Sequence, residues 1–156
     1  MQKMLITFGT RPLAQRLSKI LNTHFEIIFA TSEEVPSFLA ANYNTIPTAA
    51  NPTFAHELLK LCLDKQIDFL LPLGLAEINA LTEAKILLEE YGTKLLSPSK
   101  EELEELFVLE NPPSNIDLIL CEKGVNLISD SKLEIEMTGL FAVSDEGDDL
   151  ALCTIK

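Results

Sequence analysis

The sequence has no tryptophan and only two histidines and three cysteines among its 156 residues. Cys62, Cys121 and Cys153 are far apart and have no neighbouring histidine, so neither a zinc site nor a disulfide framework is expected. We predict that these thiols are buried and that the protein is cytoplasmic. No segment approaches the roughly 18 apolar residues of a membrane helix. The apolar run from Met4 is also too short for a secretion signal, and we expect no membrane association.

Sequence patterns of common catalytic sites are missing as well. There is no Gly-x-Ser-x-Gly nucleophile elbow and no Gly-x-Gly-x-x-Gly phosphate loop. His24 and His56 are not part of a Ser-His-Asp pattern and do not have the spacing of metal ligands. An enzyme is therefore the less favoured interpretation, and no metal or cofactor is expected.

Basic residues are scarce, since 12 Lys and Arg stand against 24 Asp and Glu, for a formal net charge of −12. Such a chain repels phosphate backbones, and its few cations form no stripe, so nucleic acid is a poor partner. Residues 1–106 hold 9 basic and 14 acidic residues, whereas the shorter segment 107–156 holds 3 and 10. This asymmetry supports a boundary near Leu106, between a first domain over 1–106 and an acidic extension over 107–156 that is either separate or part of the same domain.

Up to Leu106 the chain alternates strand and helix signals. Short apolar runs predict buried strands at 4–8, 25–30, 67–71 and 94–96. Helices are predicted between and after them: one capped by Thr10, one capped by Asn51, one over 75–91, and one from the capping box of Ser99 and Glu102 to Leu106. Strands that helices connect run parallel. The expected fold class is α/β, a doubly wound, Rossmann-like parallel sheet with helices on both faces.

After Asn111-Pro112-Pro113 the pattern changes, because strand signals follow one another with no helix between them. They lie at 116–121, 125–128, 133–143 and 150–155. Consecutive strands of this kind pair antiparallel, which predicts a small antiparallel β-meander that extends the parallel sheet or packs on it.

Four segments of the first 106 residues, in this order and spacing, resemble the pre-ATP-grasp domain. This domain is the Rossmann-like N-terminal module of enzymes such as carbamoyl phosphate synthetase and biotin carboxylase. The resemblance covers about residues 4–106 and rests on Leu5-Ile6-Thr7-Phe8-Gly9 before a helix, Tyr43 with Ile46-Pro47, Asp68-Phe69-Leu70-Leu71-Pro72-Leu73-Gly74 with Glu77, and Glu90-Tyr91-Gly92-Thr93-Lys94-Leu95-Leu96-Ser97-Pro98-Ser99.

In the family that this chain resembles, the next element begins an ATP-grasp fold, which needs a phosphate-binding lysine, a Gly-rich loop and acidic metal ligands. The residues after Leu106 are too few for that fold, although the last strands faintly resemble a hairpin from its core. Glu77-Ile78-Asn79 matches the letters of the metal motif but lies in the wrong module. The resemblance therefore implies a non-catalytic small-ligand-binding or assembly module. The alternatives are one chain of a split ATP-grasp ligase with an ATP-grasp partner chain, or a stand-alone nucleotide-binding protein.

The candidate ligand-binding residues fall where predicted parallel strands end, which is the edge where such sheets bind ligands. They are Gly9, Thr10, Arg11, Thr31, Ser32, Pro72, Gly74 and Glu77. The Gly9–Arg11 turn begins a helix, so its N–H groups and the Arg11 guanidinium suit a small anionic ligand. The structural alternatives are a plain turn with a solvated Arg11, a tight turn at Gly74, and a Glu77 that only favours its helix start.

Two further features concern partners. Asp145, Glu146, Asp148 and Asp149 surround Gly147 and predict a solvated hairpin turn, with a site for a hard cation as the alternative. A strand-rich tail has edges that must be covered or paired, and this predicts a homodimer.

Overall fold

The computed structural model of the chain describes residues 1–134, 136–144 and 149–156. Its first part is an all-parallel five-stranded sheet in the order β3-β2-β1-β4-β5. The strands are β1 Gln2–Ile6, β2 Phe25–Thr31, β3 Tyr43–Thr45, β4 Phe69–Leu71 and β5 Lys94–Leu95. The predicted parallel α/β sheet is confirmed, and it contains one short strand, β3, in a segment for which no strand was predicted.

Five α-helices and two 3₁₀ segments connect and follow these strands. The helices are α1 Pro12–Leu21, α2 Phe54–Lys65, α3 Leu75–Leu81, α4 Lys85–Glu90 and α5 Lys100–Glu105, and the 3₁₀ segments are Ser37–Asn42 and Thr82–Ala84. Two predicted caps are wrong by a residue or two, because Arg11 and not Thr10 precedes α1, and Thr53 and not Asn51 precedes α2. The Asn51 side chain instead accepts a hydrogen bond from the Thr53 N–H at 2.9 Å, which closes a turn before the helix.

The helix predicted over 75–91 is broken by the 3₁₀ turn at Thr82–Ala84. The Thr82 hydroxyl donates to the carbonyl of Asn79 at 2.9 Å. A hydroxyl that bonds a carbonyl in the preceding turn competes with the α-helical ladder and tightens it locally. The chain therefore changes direction between α3 and α4, where a continuous apolar period predicted one helix.

Side chains of the parallel strands alternate between two cores, as the two-residue period of a strand requires. On one face Met4 and Ile6 pack with α1. On the other face Leu5 and Leu70 pack with α2, α3 and α4. Helices thus cover both faces, and the inner side of α1 is formed by the buried residues Leu13, Leu17 and Leu21.

The second part of the chain is a six-stranded mixed sheet in the order β6-β11-β10-β7-β8-β9. Its strands are β6 Phe107–Glu110, β7 Leu118–Glu122, β8 Val125–Asn126, β9 Ser131–Lys132, β10 Gly139–Val143 and β11 Leu150–Thr154. The predicted antiparallel meander is right only for the pairs β7-β8 and β10-β11, because β9, which pairs with β8, lies in a segment for which no strand was predicted. It is wrong elsewhere, because β10 passes the β8-β9 hairpin to pair with β7, and β6 pairs with β11 in parallel.

The strand predicted over 133–143 forms only from Gly139 onward in the described residues, and Ile135 lies outside them. The segment before Gly139 closes the β7-β8 turn instead of extending a strand. The N–H of Leu133 donates to the Gly124 carbonyl at 2.6 Å, and the N–H of Lys123 donates to the Thr138 hydroxyl at 3.0 Å. The N–H of Leu133 is thus paired with Gly124 and does not extend β10.

The two sheets share one hydrophobic core. Leu120, Leu140 and Cys153 of the second sheet lie in the same buried cluster as Met4 of β1 and Leu17 of α1. The opposite face of the second sheet packs on α3 and α5 through a separate buried cluster. The β-rich segment therefore packs on the α/β segment, which is one of the two arrangements that the sequence left open.

All three cysteines are free and buried, as predicted. Burial raises the pKa of Cys62 to about 12 and those of Cys121 and Cys153 to about 11. Within the described ranges, no helix is long and apolar enough to span a bilayer.

Candidate functional site

The candidate residues lie at the carboxyl edge of the parallel sheet, in a central group and a lateral group. At the centre, where β1 and β4 end, Thr7 links the two strands. Its hydroxyl donates to a carboxylate oxygen of Glu77 at 2.5 Å and accepts from the Leu73 N–H at 2.8 Å. The same Glu77 oxygen accepts from the N–H of Gly74 at 3.3 Å. Glu77 thus joins the start of α3 to the end of β1.

Glu77 is an acidic side chain in the core. It is 3% exposed, and burial raises its pKa to about 7, while the hydrogen bonds from Thr7 and Gly74 oppose that rise. Among the described ion pairs, none involves Glu77. A carboxyl group in this state can hold or release a proton near neutral pH.

The chain itself fills the space around this carboxyl group. The Ile155 N–H donates to the Leu73 carbonyl at 2.8 Å, and Ile155 forms a parallel bridge with Gly74. A Cβ on Gly74 would lie 2.5 Å from Cε2 of Phe8, so the Phe8 ring rests directly on this glycine. Gly74 is therefore required for a close approach and not, as the tight-turn alternative held, for a special backbone conformation; its φ is −92°. Pro72 is buried beside it.

The lateral group is organised by Glu33, an acidic residue that was not among the predicted site residues. Its two carboxylate oxygens accept from Nε and Nη2 of Arg11, both at 2.9 Å, and Oε1 also accepts from the Thr10 hydroxyl at 3.1 Å. The Glu33 N–H donates to the hydroxyl of buried Thr31 at 3.0 Å. This bidentate pair lowers the pKa of Glu33 and raises that of Arg11.

Glu33 was not predicted as a site residue because Thr31 and Ser32 occupy the end of the second predicted strand. The sequence signal that could have identified it is a glutamate directly after Ser32 together with an arginine after the first strand. The anion that Arg11 was predicted to bind is supplied in the structure by Glu33. The alternative of a solvated Arg11 is also inexact. The Arg11 side chain is 38% exposed, but its Nε and Nη2 atoms both donate to Glu33.

Gly9 is needed where the turn after β1 crosses β2. A Cβ at this position would lie 2.5 Å from Cβ of Phe29, a contact that the backbone of β2 cannot relieve easily. Its N–H donates to the Ala30 carbonyl at 3.0 Å, and its own carbonyl accepts from the Gln15 side chain at 2.7 Å. Both backbone groups of Gly9 are thus used within the chain.

A groove of about 240 Å³ opens beside Glu33, at the carboxyl ends of β2 and β3. It is lined by Ser32, Glu33, Glu34, Val35, Ala40, Tyr43 and Thr45, of which five carry side-chain oxygen atoms. The Tyr43 ring also stacks at a tilt on Phe29, with centroids 5.7 Å apart, which fixes one wall. The structure therefore separates the predicted residues: Ser32 lines the groove, Thr10, Arg11 and Thr31 support Glu33 in its wall, and Pro72, Gly74 and Glu77 belong to the filled centre. Ligand binding at any of them stays a prediction.

The acidic cluster predicted as a hairpin turn falls at 145–148, outside the described residues. Asp149 donates its N–H to the Ser144 hydroxyl at 3.1 Å. In the part of the chain that the structure describes, no three His, Cys, Asp or Glu side chains come together as a metal ligand set. No protein-family model matches this chain, and no curated protein matches it.

Proposed function

We propose that this chain is a small-ligand-binding module that takes its ligand in the groove over β2 and β3. The groove itself carries the proposal: it lies at the carboxyl edge of a parallel sheet, and a fixed carboxylate, Glu33, stands in its wall. The strand order β3-β2-β1-β4-β5 supports a doubly wound, Rossmann-like architecture related to the pre-ATP-grasp domain. Sheets of that kind bind ligands outside the carboxyl ends of their strands.

The position of the groove follows from what fills the neighbouring site. The strand order reverses between β1 and β4, where a ligand is normally expected. Here Phe8 and Ile155 cover Gly74 at that point. The ligand is therefore displaced sideways, toward β2 and β3.

The charges favour a ligand with hydroxyl or ammonium donors over a free anion. The Arg11 fork is already engaged by Glu33, and Glu34 adds a second negative charge to the lining. An anion would have to displace Glu33 from Arg11, whereas a hydroxyl group, such as one of a ribose, can donate to the lone pair of Oε2 that Arg11 and Thr10 leave free. A nucleoside is the ligand class that fits both the acceptors and the Tyr43 ring.

The proposal is tested by measuring affinity for adenosine, ATP, NAD and acetyl phosphate by thermal shift and calorimetry. We expect adenosine to bind and Glu33→Gln to weaken its affinity about tenfold or more, because a charged acceptor of a ribose hydroxyl is lost. Glu83→Gln, an exposed glutamate on a 3₁₀ turn, is the matched control and leaves the affinity unchanged.

Acetyl phosphate separates the two ligand classes. If the site takes anions, Glu33→Gln frees Arg11 and strengthens acetyl phosphate binding, while Arg11→Ala abolishes it. That pattern, or equal adenosine affinity in wild type and Glu33→Gln, contradicts the proposed hydroxyl-bearing ligand.

A further inference from the structure

One edge of the second sheet is apolar and exposed. In the described residues β6 pairs with β11 alone, and it stands at the end of the sheet. Phe107 is 78% exposed and Val108 is 38% exposed. Natural proteins usually shield such edges with charge, proline or a covering segment, because an open strand recruits another strand.

The backbone groups that face the open side can be identified from the pairing with β11. The N–H of Asn111 donates to the Thr154 carbonyl at 2.7 Å, so it points toward β11. Residues alternate in direction along a strand, so Leu109 and Phe107 also face β11. Val108 and Glu110 therefore direct their N–H and C=O groups away from the sheet, where a further strand would pair.

A trough lies beside this edge because two alanines stand next to Phe107. The register places Phe107, Ala151 and Ala142 opposite one another on three neighbouring strands. The next row toward the core has the larger side chains of Leu109 and Leu140. The small residues leave an open groove of about 860 Å³ between Phe107 and the segment 115–117.

The rim of the trough is acidic. Asp117 and Asp149 line it, and no Lys or Arg is among the described lining residues. Arg16 lies behind the wall, where its guanidinium donates to the carbonyls of Pro113 and Ile116. On the chain just before β6, helix α5 adds four glutamates, Glu101, Glu102, Glu104 and Glu105.

We propose that β6 binds an extended segment of a partner protein by strand addition, and that this segment alternates apolar and basic side chains. Its backbone pairs with Val108 and Glu110. Its apolar side chains lie beside Phe107 on the face of the sheet that carries the trough, and its cations lie on the opposite face, on which α5 with its glutamates packs. A second copy of this chain fits less well, because each copy carries a net charge of −12. This surface is separate from the nucleoside groove, so either proposal can fail alone.

The test uses a short fluorescent peptide of alternating valine and lysine, and a second in which glutamate replaces lysine. Fluorescence anisotropy with the full chain is expected to show binding of the lysine peptide that weakens with salt, and none of the glutamate peptide. Phe107→Ser and Val108→Pro each weaken the lysine peptide about tenfold or more, the first by removing the apolar wall and the second by removing the outward N–H. Phe38→Ser is the matched control, since Phe38 is 82% exposed on the 3₁₀ segment Ser37–Asn42.

Three results overturn the proposal. The lysine peptide does not bind, or it binds equally to wild type, Phe107→Ser and Val108→Pro, which would make the attraction one of net charge. Alternatively, sedimentation reveals a dimer of the chain that Val108→Pro dissociates, which would make a second copy the occupant. If circular dichroism finds Val108→Pro unfolded, the exposed Phe107→Ser decides between these outcomes.

Discussion

At the scale of single residues, Glu77 couples the fold to pH. The pKa of this carboxyl group is about 7 in the folded chain, whereas an unfolded glutamate has a pKa of about 4.3. The folded state therefore holds a proton that the unfolded state has lost between these values. The stabilisation is complete below the unfolded pKa and is lost as pH rises through the folded one, by on the order of 3 kcal/mol.

Glu77→Gln is expected to remove this dependence, because the amide cannot ionise but still accepts from Thr7 and Gly74. The contribution of this position becomes flat between about pH 5 and pH 8, and the variant is more stable than wild type at the upper end. Urea unfolding across this range measures the difference. Glu57→Gln, an exposed glutamate in the first turn of α2, is the control and keeps the wild-type profile. A Glu77→Gln chain that loses stability with rising pH as steeply as wild type would show that the carboxyl group is not the cause.

At the same scale, only part of the candidate site could be predicted from the sequence. Gly9 and Arg11 were predicted to follow the first strand at the carboxyl edge of the sheet, and they lie there. The partner of Arg11 was not predicted, because Glu33 reaches it only where the turn after Thr31 directs its side chain toward the end of the neighbouring strand β1. Gly74 was predicted to bind a ligand, with a tight turn as the alternative, and its contact with the Phe8 ring was not predicted because Phe8 follows β1, far away in the chain.

At the scale of elements, local signals predicted the start of α5 correctly but did not predict the break within the helix expected over 75–91. The capping box at Ser99 is present as predicted: the Ser99 hydroxyl accepts from the Glu102 N–H at 3.2 Å, and the Glu102 carboxylate accepts from the Ser99 N–H at 2.9 Å. Both bonds join residues that are three positions apart, so the capping box can be recognised from the local sequence alone. The break at Thr82 depends instead on the hydrogen bond from the Thr82 hydroxyl to the Asn79 carbonyl. The spacing of apolar residues does not indicate whether that bond forms.

Ser99→Ala is expected to destabilise the chain by about 1 kcal/mol, because α5 is six residues long and loses one of its few N-terminal hydrogen bonds. Leu103 and Leu106 next to this helix pack against the second sheet, so the loss is transmitted to the core. Chemical unfolding provides the measurement. Thr53→Ala is the comparison, since Thr53 occupies the N-cap of α2 without a capping hydrogen bond, and it should cost less. Equal losses in the two variants would mean that the capping box contributes nothing specific.

At the scale of the whole molecule, the two sheets differ in how far they could be predicted. In the first, each strand is followed by a helix, and a crossover connection leaves little choice but parallel pairing. In the second, the pairing of β10 with β7 and of β6 with β11 joins strands that are not consecutive. Alternation of apolar residues locates such strands but does not specify their partners, which is why a meander was expected. β6 was missed because four residues after a glutamate-rich helix give little periodicity.

The shared core bears on whether the difference in charge between residues 1–106 and 107–156 marks a domain boundary near Leu106. A fragment of residues 1–106 would expose Met4, Ile6 and Leu73, which the second sheet covers in the whole chain. We expect this fragment to bind a hydrophobic dye and to unfold without a sharp transition, because one face of its sheet has lost its packing. Calorimetry and dye fluorescence compare it with the full chain.

A milder truncation, removing only residues 155 and 156, serves as the graded comparison for that fragment. It deletes the buried Ile155 and its bond to Leu73 while leaving the second sheet in place. This change should cost about 2–4 kcal/mol and keep a cooperative transition. If residues 1–106 alone unfold as sharply as the full chain, the α/β segment is self-sufficient, and the charge asymmetry marks a true domain boundary. If they do not, the acidic strands form part of a single cooperative core, and Ile155 is the residue that fastens them to the carboxyl edge of the parallel sheet.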